Sequence, residues 1–378
     1  MFSSADQQYM QRANQLARRG QYTTAPNPNV GCVLVKDGQI IGEGWHVRAG
    51  EGHAEVNAIA SVNDPAAVVG CTAYVTLEPC NHTGRTGPCT EALVSAGVAR
   101  VVVAMDDPNP LVAGSGTARL RQAGITVDSG LFGDEAAALN PGYIKRMRTG
   151  LPRVRLKMAA SLDGRTAMAN GESQWITGAA ARGDVQCLRA ASGAIVTGIG
   201  TVLSDDPSLT VRADQLPLEN AASVAARQPL RVVLDSQLRL PSSAKLLQQP
   251  GQTAVVCGDV SLLDRVTNTF PAATLLACPD GHGGIDLLKL LRWLGEQQIN
   301  EVLVEAGATL AGAFWQQGLV DLLTVYIAPV LLGSAARPLL ELPFDRMAEA
   351  QRLQVVDWRP VGDDWRIDAI PASAQRDA

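Results

Sequence analysis

The first 150 residues alternate between short apolar runs and amphipathic stretches. Two of the runs, Val30–Val35 and Ile40–Trp45, flank an Asp-Gly pair, which is typical of a β-hairpin turn. Helical and apolar segments then follow one another along the chain. The pattern predicts helices at 6–19, 53–61, 90–96, 116–123 and 134–148 and further strands at 73–77, 100–105 and 125–127. This order indicates a layered α/β domain.

The helix predicted at 134–148 is expected to stop at Gly150-Leu151-Pro152, where a glycine precedes a helix breaker. We therefore predict one domain over residues 1–149 and a second over residues 150–378. The second half alternates again, with strands predicted at 153–159, 194–198, 230–235, 253–257, 274–277, 301–305 and 323–329 and helices at 179–191, 286–297 and 310–317. No internal repeat relates the halves, which predicts two different folds.

The composition argues against a nucleic-acid-binding protein and against a membrane protein. The 378 residues are 46% hydrophobic and 18% charged, with a net charge of −5, so a nucleic-acid-binding protein is not indicated. The basic cluster 145–148 is interpreted as a solvated helix end. The sequence has neither an apolar run long enough to cross a bilayer nor the layout of a signal peptide. Seven cysteines do not suggest a disulfide framework, and a cytoplasmic location is expected.

A zinc site is predicted between residues 53 and 89. His53 begins a predicted helix, Cys80 follows a predicted strand, and Cys89 precedes another helix. One imidazole and two thiolates leave the fourth position of a tetrahedral zinc ion open for water, which is the arrangement of a catalytic site. Glu55, two residues after His53, would act as the proton shuttle. The pattern H-x-E followed by P-C is typical of base deaminases, although the two cysteines here are nine positions apart.

Other interpretations of these residues remain open. A structural zinc ion with His82 as its fourth ligand is one alternative, and a zinc-stabilised binding module is another. A nucleic-acid base deaminase with an accessory domain would share the same ligands. The five remaining cysteines are expected to be small apolar side chains of the core, namely Cys32, Cys71, Cys187, Cys257 and Cys278.

The loop between the cysteines and several flanking motifs resemble the bifunctional deaminase–reductase family of riboflavin biosynthesis. In the first half these motifs are Pro26-Asn27-Pro28-Asn29-Val30-Gly31, His53-Ala54-Glu55, Thr76-Leu77-Glu78-Pro79-Cys80, Gly84-Arg85-Thr86 and Asp107-Pro108-Asn109-Pro110. The resemblance implies a three-layer domain of the cytidine deaminase-like fold. Arg85 could meet a substrate phosphate. Gly87 departs from the family, which usually has proline there.

The second half resembles the family's reductase domain, which implies a dihydrofolate reductase-like fold and NADPH as cofactor. The matching segments are Leu156–Arg165, Glu172–Thr177, Thr197–Val202, Asp205–Arg212, Asp235-Ser236 and Val304–Gly307. The resemblance implies NADP contacts at Ala159, Trp175, Thr201, Asp205, Ser236, Gly307, Ala308, Thr309, Leu310, Ala311, Gly312 and Ala313. It implies substrate contacts at Ser173, Arg189, Leu209, Arg212 and Glu305.

The residues of the second half alone are less specific. Gly307 opens a small-residue turn after a buried strand, which would let a phosphate approach backbone N–H groups, but the motif is not G-x-G-x-x-G. The resemblance implies zinc-dependent deamination of a diaminopyrimidinone ribosylamine phosphate and then reduction of the ribosyl group to ribityl. Lys157 and Asp205 are candidate acids for that second step. Small phosphoribosyl pyrimidines are the expected partners, without nucleic acid or membrane, and a homo-oligomer is compatible with the sequence.

Overall fold

A computed structural model describes residues 2–82, 87–110, 112–173, 175–263 and 269–372. The chain forms two compact units, Met1–Leu151 and Pro152–Ala378. No helix within the described ranges is long and apolar enough to cross a membrane.

The first unit contains six helices and five strands among its described residues. In chain order they are α1 (Ser4–Ala17), β1 (Gly31–Lys36), β2 (Gln39–Trp45), α2 (Ala54–Ala60), β3 (Thr72–Val75), α3 (Cys89–Ser95), β4 (Arg100–Val103), α4 (Ser115–Gln122), β5 (Thr126–Ser129), α5 (Gly133–Ala138) and α6 (Pro141–Thr149). The strands form one sheet in the order β2-β1-β3-β4-β5.

Three layers result, because helices cover both faces of this sheet. Ala58 of α2, Leu93 of α3 and Leu120 of α4 belong to the core on one face. Met10 and Leu16 of α1 belong to the core on the other face. Strand β1 runs antiparallel to both β2 and β3, so β2 and β3 are parallel to each other. Their carboxyl ends therefore share one edge of the sheet, and α2 and α3 both begin near that edge.

The single helix predicted at 134–148 is wrong, since two helices, α5 and α6, occupy this region. Pro141 is the first residue of α6. A proline has no N–H to donate and its ring clashes with the preceding helical turn, so the first helix cannot continue through it. The side chain of Asn140, at the break, accepts a hydrogen bond of 2.7 Å from the backbone N–H of Asn29 and donates one of 2.9 Å to its carbonyl.

The second unit is larger. Its helices and strands are β6 (Arg153–Ser161), β7 (Arg165–Ala167), α7 (Ala179–Ala191), β8 (Ala194–Gly198), α8 (Ile199–Asp205), α9 (Ala221–Ala225), β9 (Leu230–Leu234), β10 (Thr253–Cys257), β11 (Ala273–Ala277), α10 (Leu287–Glu296), β12 (Glu301–Glu305), α11 (Ala308–Gln316), β13 (Leu322–Ala328), β14 (Arg337–Pro338), β15 (Leu353–Val361) and β16 (Asp364–Pro371).

Nine of these strands form one sheet in the order β11-β10-β9-β8-β12-β6-β13-β16-β15. The strands from β11 to β13 are parallel, and β16 and β15 add an antiparallel hairpin at the edge. The parallel strands agree with those predicted from the sequence, whereas β14, β15 and β16, after residue 329, were not predicted. Helices α8 and α11 both start at carboxyl ends of neighbouring strands, β8 and β12, which is where α/β sheets commonly bind ligands.

Candidate functional site

Three of the predicted zinc ligands meet in the first unit. One ligand atom each from His53, Cys80 and Cys89 lies within 4.8 Å of the others. The Nδ1 atom of His53 is 3.6 Å from Sγ of Cys80 and 3.3 Å from Sγ of Cys89. Zinc bonds of about 2.3 Å to sulfur and 2.0 Å to nitrogen, at tetrahedral angles, would separate these atoms by about 3.6 Å. The residues therefore fit a zinc ion held by three protein ligands.

The helix starts position these ligands. His53 is the N-cap residue of α2, Cys89 is the first residue of α3, and Cys80 lies on the loop that follows β3. A β-carbon on Gly44 of β2 would stand 2.3 Å from the backbone nitrogen of Ala58, so this glycine is what lets α2 lie directly on the sheet. Helix N-termini favour thiolate, which suits cysteine ligands.

The thiols of Cys80 and Cys89 interact with each other directly. A hydrogen bond from Cys89 lowers the pKa of Cys80 to about 4, and the same bond raises the pKa of Cys89. The backbone N–H of Cys89 also donates to Sγ of Cys80 over 3.4 Å. A divalent cation between the sulfurs would replace the hydrogen bond between them, because both thiols could then ionise. This electrostatic arrangement again suits a metal ion.

Glu55 lies in the first turn of α2 and is 3% exposed. Burial raises its pKa to about 6, and the charge of the nearby Cys80 thiolate acts in the same direction. The hydrogen bond to Cys80 raises the pKa of His53. A carboxyl group whose pKa is near 6 can both accept and release a proton near neutral pH, as a proton shuttle requires.

His46, which was not predicted from the sequence as a site residue, packs against His53 of the cluster. Its ring meets the ring of His53 edge to face, with 5.1 Å between centroids. The side-chain amide of Asn27 lies 3.1 Å from Nε2 of His46, and the Gly52 carbonyl lies 3.1 Å from Nδ1. An amide donor at Nε2 leaves the proton on Nδ1, and burial lowers the pKa of His46, so this ring is neutral. Only contacts across the fold reveal its role.

Glu78 anchors the loop that carries Cys80. Its Oε1 accepts the backbone N–H groups of Gly116 and Thr117 at 2.9 and 3.0 Å, and its Oε2 accepts those of Gly114 and Asp107 at 3.0 and 3.2 Å. Three of these donors belong to the start of α4. A buried carboxylate with four donors is well satisfied, and it fixes the chain two residues before Cys80, a predicted zinc ligand.

The other candidates of the first unit lie apart from the cluster or outside the described residues. His82 is exposed and does not belong to the three-residue group. Arg85 lies outside the described residues. Of the other cysteines of the chain, Cys32, Cys71, Cys257 and Cys278 are buried and Cys187 is half-buried.

In the second unit, the structure brings together two of the predicted substrate residues. Arg189 of α7 donates to both carboxylate oxygens of Glu305 at the end of β12, over 2.6 and 3.0 Å. Both side chains are 12% exposed. The third guanidinium nitrogen of Arg189 donates to the Thr210 carbonyl over 3.1 Å. All three nitrogens of Arg189 therefore have protein partners. This residue fixes the position of Glu305, which suits it less well to bind a phosphate.

Lys157 of β6 is the register partner of Glu305. Burial lowers the pKa of Lys157, and the charge of Glu305 opposes this effect. Burial alone would raise the pKa of Glu305, but the charges of Arg189, Lys157 and Arg212 together hold it below its usual value. Glu305 is therefore an ionised carboxylate within a cationic group of side chains.

The turn residues at the neighbouring strand ends fit a phosphate-bearing cofactor. Gly198 is the N-cap residue of α8 and Gly307 is the N-cap residue of α11. A β-carbon built on Gly200 or on Gly307 would meet no heavy atom within 4 Å outside its own stretch of chain. Backbone N–H groups at such helix starts bind phosphate, so this edge suits the pyrophosphate of a dinucleotide. Gly312 instead packs tightly, since a β-carbon there would meet the Glu341 carbonyl at 2.2 Å.

The remaining predicted contacts are spread around this edge. Thr201 lies in the first turn of α8, whereas Asp205 is the last residue of that helix and is exposed. Trp175 is 72% exposed, and the Arg182 guanidinium lies 4.8 Å from its ring centroid. The others are half-buried Ala159, Ser173 and Ser236, buried Leu209, exposed Arg212, and the helix residues Ala308, Thr309, Leu310, Ala311 and Ala313.

Two family models match the chain, one in each unit. Residues 3–105 match the cytidine and deoxycytidylate deaminase zinc-binding region, and residues 152–367 match the RibD C-terminal domain. The first match includes His53, Glu55, Cys80 and Cys89.

Several whole proteins are similar over both units. The riboflavin biosynthesis protein RibD of Escherichia coli (strain K12) is 54% identical over 372 residues, covering 97% of this chain and 100% of that protein. The protein of the same name from Haemophilus influenzae is 48% identical over 380 residues, covering 98% of each. The structure of Acinetobacter baumannii RibD, form 1, has a TM-score of 0.88 and 50% identity, covering 97% of this chain and 99% of that one.

A more distant solved structure matches over the same length. It is a diaminohydroxyphosphoribosylaminopyrimidine deaminase/5-amino-6-(5-phosphoribosylamino)uracil reductase from Thermotoga maritima, with a TM-score of 0.83 and 31% identity. It covers 97% of this chain and 99% of that one.

Proposed function

The chain belongs to the RibD family of riboflavin biosynthesis proteins, and on this basis we propose the roles of its individual residues in two consecutive reactions. The family membership confirms the predicted fold class, a cytidine deaminase-like unit followed by the reductase unit of the family. It also confirms a bifunctional enzyme, a deaminase and a reductase, with zinc and NADPH as cofactors. The alternative of a nucleic-acid base deaminase is not favoured.

The first reaction is hydrolytic deamination of a diaminopyrimidinone ribosylamine phosphate to the corresponding aminouracil. The observation that carries this assignment is the three-donor cluster of His53, Cys80 and Cys89 with buried Glu55 beside it. A zinc ion held by His53, Cys80 and Cys89 would supply a bound water molecule whose pKa is lowered to about 7. Glu55 would transfer one proton of that water to the ring nitrogen and, as the carbonyl forms, the water's second proton to the departing amine, which leaves as ammonia. His46 holds the His53 ring in place.

The second reaction reduces the ribosyl group of the aminouracil to ribityl. The helix starts after Gly198 and Gly307 would hold NADPH, which would supply the hydride for C1′ of the opened ribose. Glu305, held by Arg189, would accept hydrogen bonds from sugar hydroxyls. Arg212 is the better phosphate ligand of the two arginines, because Arg189 already donates from all three nitrogens to protein oxygens.

Lys157 is our candidate for the proton donor of the reduction. It lies beside Glu305, and burial lowers its pKa, which makes release of its proton easier. Asp205, the other candidate, lies at the far end of α8 from the helix start that would hold the cofactor. The position of Lys157 inside the cationic cluster therefore favours it over Asp205.

A reducing compartment such as the cytoplasm suits these residues. Cys80 and Cys89 must remain reduced to bind a metal ion. Their sulfur atoms lie so close together that oxidising conditions would favour a disulfide between them. The proposed partners are small phosphoribosyl pyrimidines and no nucleic acid.

One assay tests the two reactions in order. Purified zinc-loaded protein is incubated with the diaminopyrimidinone phosphate, first without NADPH and then with it. We expect ammonia release in the first stage and NADPH oxidation, one equivalent per ribityl product, in the second. Ammonia release from cytidine or tRNA but not from the phosphoribosyl substrate would contradict the proposed substrate. NADPH oxidation before any ammonia release would contradict the proposed order.

A further inference from the structure

The face of the nine-stranded sheet that packs against α7 carries a row of polar side chains across four neighbouring strands. From β12 to β16, the residues in register are Glu305, Lys157, Thr324 and Asp368. Residues two positions apart on a strand lie on the same face. The next row on this face therefore consists of Ala159, Tyr326 and Arg366. Tyr326 thus lies one pleat along from Lys157, the candidate proton donor.

Tyr326 is held both at its ring and at its hydroxyl. The side chain is 0% exposed, and its ring belongs to the buried cluster that includes Val185 and Leu188 of α7. Its hydroxyl donates to Oδ2 of Asp184 over 2.5 Å. Burial raises the pKa of Tyr326 above its usual range, so the hydroxyl keeps its proton and acts as the donor. Packing and a hydrogen bond to a charged acceptor together fix the orientation of the ring.

Asp184 has charged partners besides this tyrosine. Nη1 of Arg366 donates to it over 2.8 Å, and Nη2 of Arg359 lies 3.7 Å from its other oxygen. Nε and Nη2 of Arg366 donate to the two oxygens of Asp368 over 3.1 and 2.6 Å, so every nitrogen of Arg366 has an acceptor. The charge of Asp184 is therefore compensated without Tyr326. The contact from the hydroxyl fixes the ring more than it stabilises the carboxylate.

The Tyr326 ring presents its face to Lys157. Nζ of Lys157 lies over the ring, 5.9 Å from its centroid, which is within the range of a cation–π contact. Burial lowers the pKa of Lys157, the charge of Glu305 opposes this effect, and the charge of Arg189 reinforces it. Arg189 also donates to both oxygens of Glu305. The ring face is thus a second source of negative potential beside the ammonium group.

We propose that Tyr326 is a positioning residue of the reduction, whose fixed ring holds the charged amine of Lys157 between itself and Glu305. The proposal rests on the proposed role of Lys157 as the proton donor. A proton donor must carry its proton before the hydride arrives, and it must be held in one place. A second carboxylate would hold the ammonium group but would compete for its proton. An aromatic ring attracts the charge without accepting the proton, which suits a donor.

Fluorination of the ring tests the proposal with little change in shape. Fluorine withdraws electron density from the ring face and so weakens its attraction for a cation. The two variants compared are Tyr326→Phe and Tyr326→trifluorophenylalanine, both in the full-length protein loaded with zinc. The measurement is kcat of the reduction against pH, on preformed aminouracil with saturating NADPH. The rate should decrease at high pH as Lys157 loses its proton. We expect this limb to lie about half to one pH unit lower in the fluorinated variant than in Tyr326→Phe.

Tyr326→Phe keeps a ring for Lys157 but loses the hydrogen bond to Asp184. Its high-pH limb should stay close to that of the wild type, while kcat should fall about three- to tenfold because the ring is less well fixed. KM for NADPH should change less than about twofold. Phe270→trifluorophenylalanine is the matched control, since Phe270 is 4% exposed and belongs to a different buried cluster of the same unit. The control should keep the wild-type limb and rate.

A tyrosine with a purely structural role would give a different set of results. Its replacement would lower the midpoint of urea unfolding and leave both the limb and kcat unchanged. Coincident limbs for the two ring variants would therefore overturn the proposal, and so would a wild-type kcat in Tyr326→Phe.

Lys157→Met separates this proposal from the proposed role of the lysine. A Lys157→Met enzyme that keeps more than about a tenth of the wild-type rate would refute the proton donor, and the positioning role with it. Loss of activity in Lys157→Met together with coincident limbs for the ring variants would refute the role of Tyr326 alone.

Discussion

Replacing Glu55 by glutamine tests the deaminase mechanism most directly. Glutamine has nearly the same size and shape as glutamate, so the packing of a residue that is 3% exposed should change little. The ligands His53, Cys80 and Cys89 are untouched, and the site should still bind one zinc ion. What the substitution removes is the group that accepts and returns a proton.

Its magnitude follows from that role. A positioned general acid–base residue contributes roughly 100- to 10,000-fold, so we expect kcat of deamination to fall about 1000-fold, or about 4 kcal/mol in barrier height. The pH dependence of the deamination rate gives an independent test. Burial sets the pKa of Glu55 to about 6, and the ionised form is the one that accepts a proton. Wild-type deamination should therefore decrease below about pH 6, and this limb should disappear from the residual activity of Glu55→Gln.

The assay is ammonia release under saturating substrate, with zinc measured by atomic absorption on the same samples. Glu91→Gln is the matched control, because Glu91 lies on α3 beside the site but pairs with Arg119 over 2.7 Å. The control should retain at least half of the wild-type rate. The second reaction, measured on preformed aminouracil with NADPH, should be unaffected by either variant. A Glu55→Gln enzyme with full zinc and more than a tenth of the wild-type rate would refute the role of Glu55.

Three further substitutions test other parts of the molecule. Cys89→Ala should release zinc and abolish deamination while reduction continues, whereas Cys71→Ala, a buried cysteine outside the cluster, should retain zinc by metal analysis. Glu305→Gln should abolish NADPH oxidation and, because it leaves Arg189 buried without its charged partner, cost about 3–5 kcal/mol in urea unfolding; an unchanged midpoint would contradict this. Burial alone would raise the pKa of Asp6, but its hydrogen bonds, that from Arg100 the strongest, hold it well below the usual range, so its stabilisation is present at neutral pH and lost as pH falls through that lowered value. Asp6→Asn should therefore lower stability at pH 7 by about 1–3 kcal/mol and by less in acid, as measured by urea unfolding at both pH values.

Much of the fold follows from local patterns. The hairpin β1–β2 was predicted from an Asp-Gly pair between apolar runs, and the parallel strands of the second unit from short apolar runs between helices. The break between α5 and α6 was missed although Pro141 stands in the sequence, because the apolar periodicity continues across it. A proline after a capping asparagine should have weighed more than periodicity.

The last hairpin was missed for a different reason. Strands β15 and β16 do alternate between polar and apolar residues, but alternation alone does not say which face is buried. Burial of Arg366 and Asp368 depends on Asp184 and Arg155, and Asp364 accepts the backbone N–H of Gly178. All three partners lie far away in the sequence. A rule that places apolar side chains inside assigns this hairpin the wrong way round, and only the assembled sheet shows that its tryptophans face outward.

The two sites differ in how much of them a single sequence can reveal. The zinc cluster is encoded in residues 53–89, and the chemistry of sulfur and imidazole donors is specific enough to identify a metal from ligand types alone. The reductase cluster draws one residue each from β6, α7 and β12, and Arg189 and Glu305 are 116 positions apart. Lys, Arg and Glu are also the commonest surface residues, so no local pattern distinguishes these three. Burial distinguishes them. The side chains of the bidentate pair Arg189–Glu305 are each 12% exposed, and burial lowers the pKa of the neighbouring Lys157. Burying these charges costs desolvation free energy, and buried ionisable groups cluster at functional sites. This burial is a physical reason to assign the three residues to substrate binding, and it cannot be recognised from the sequence alone.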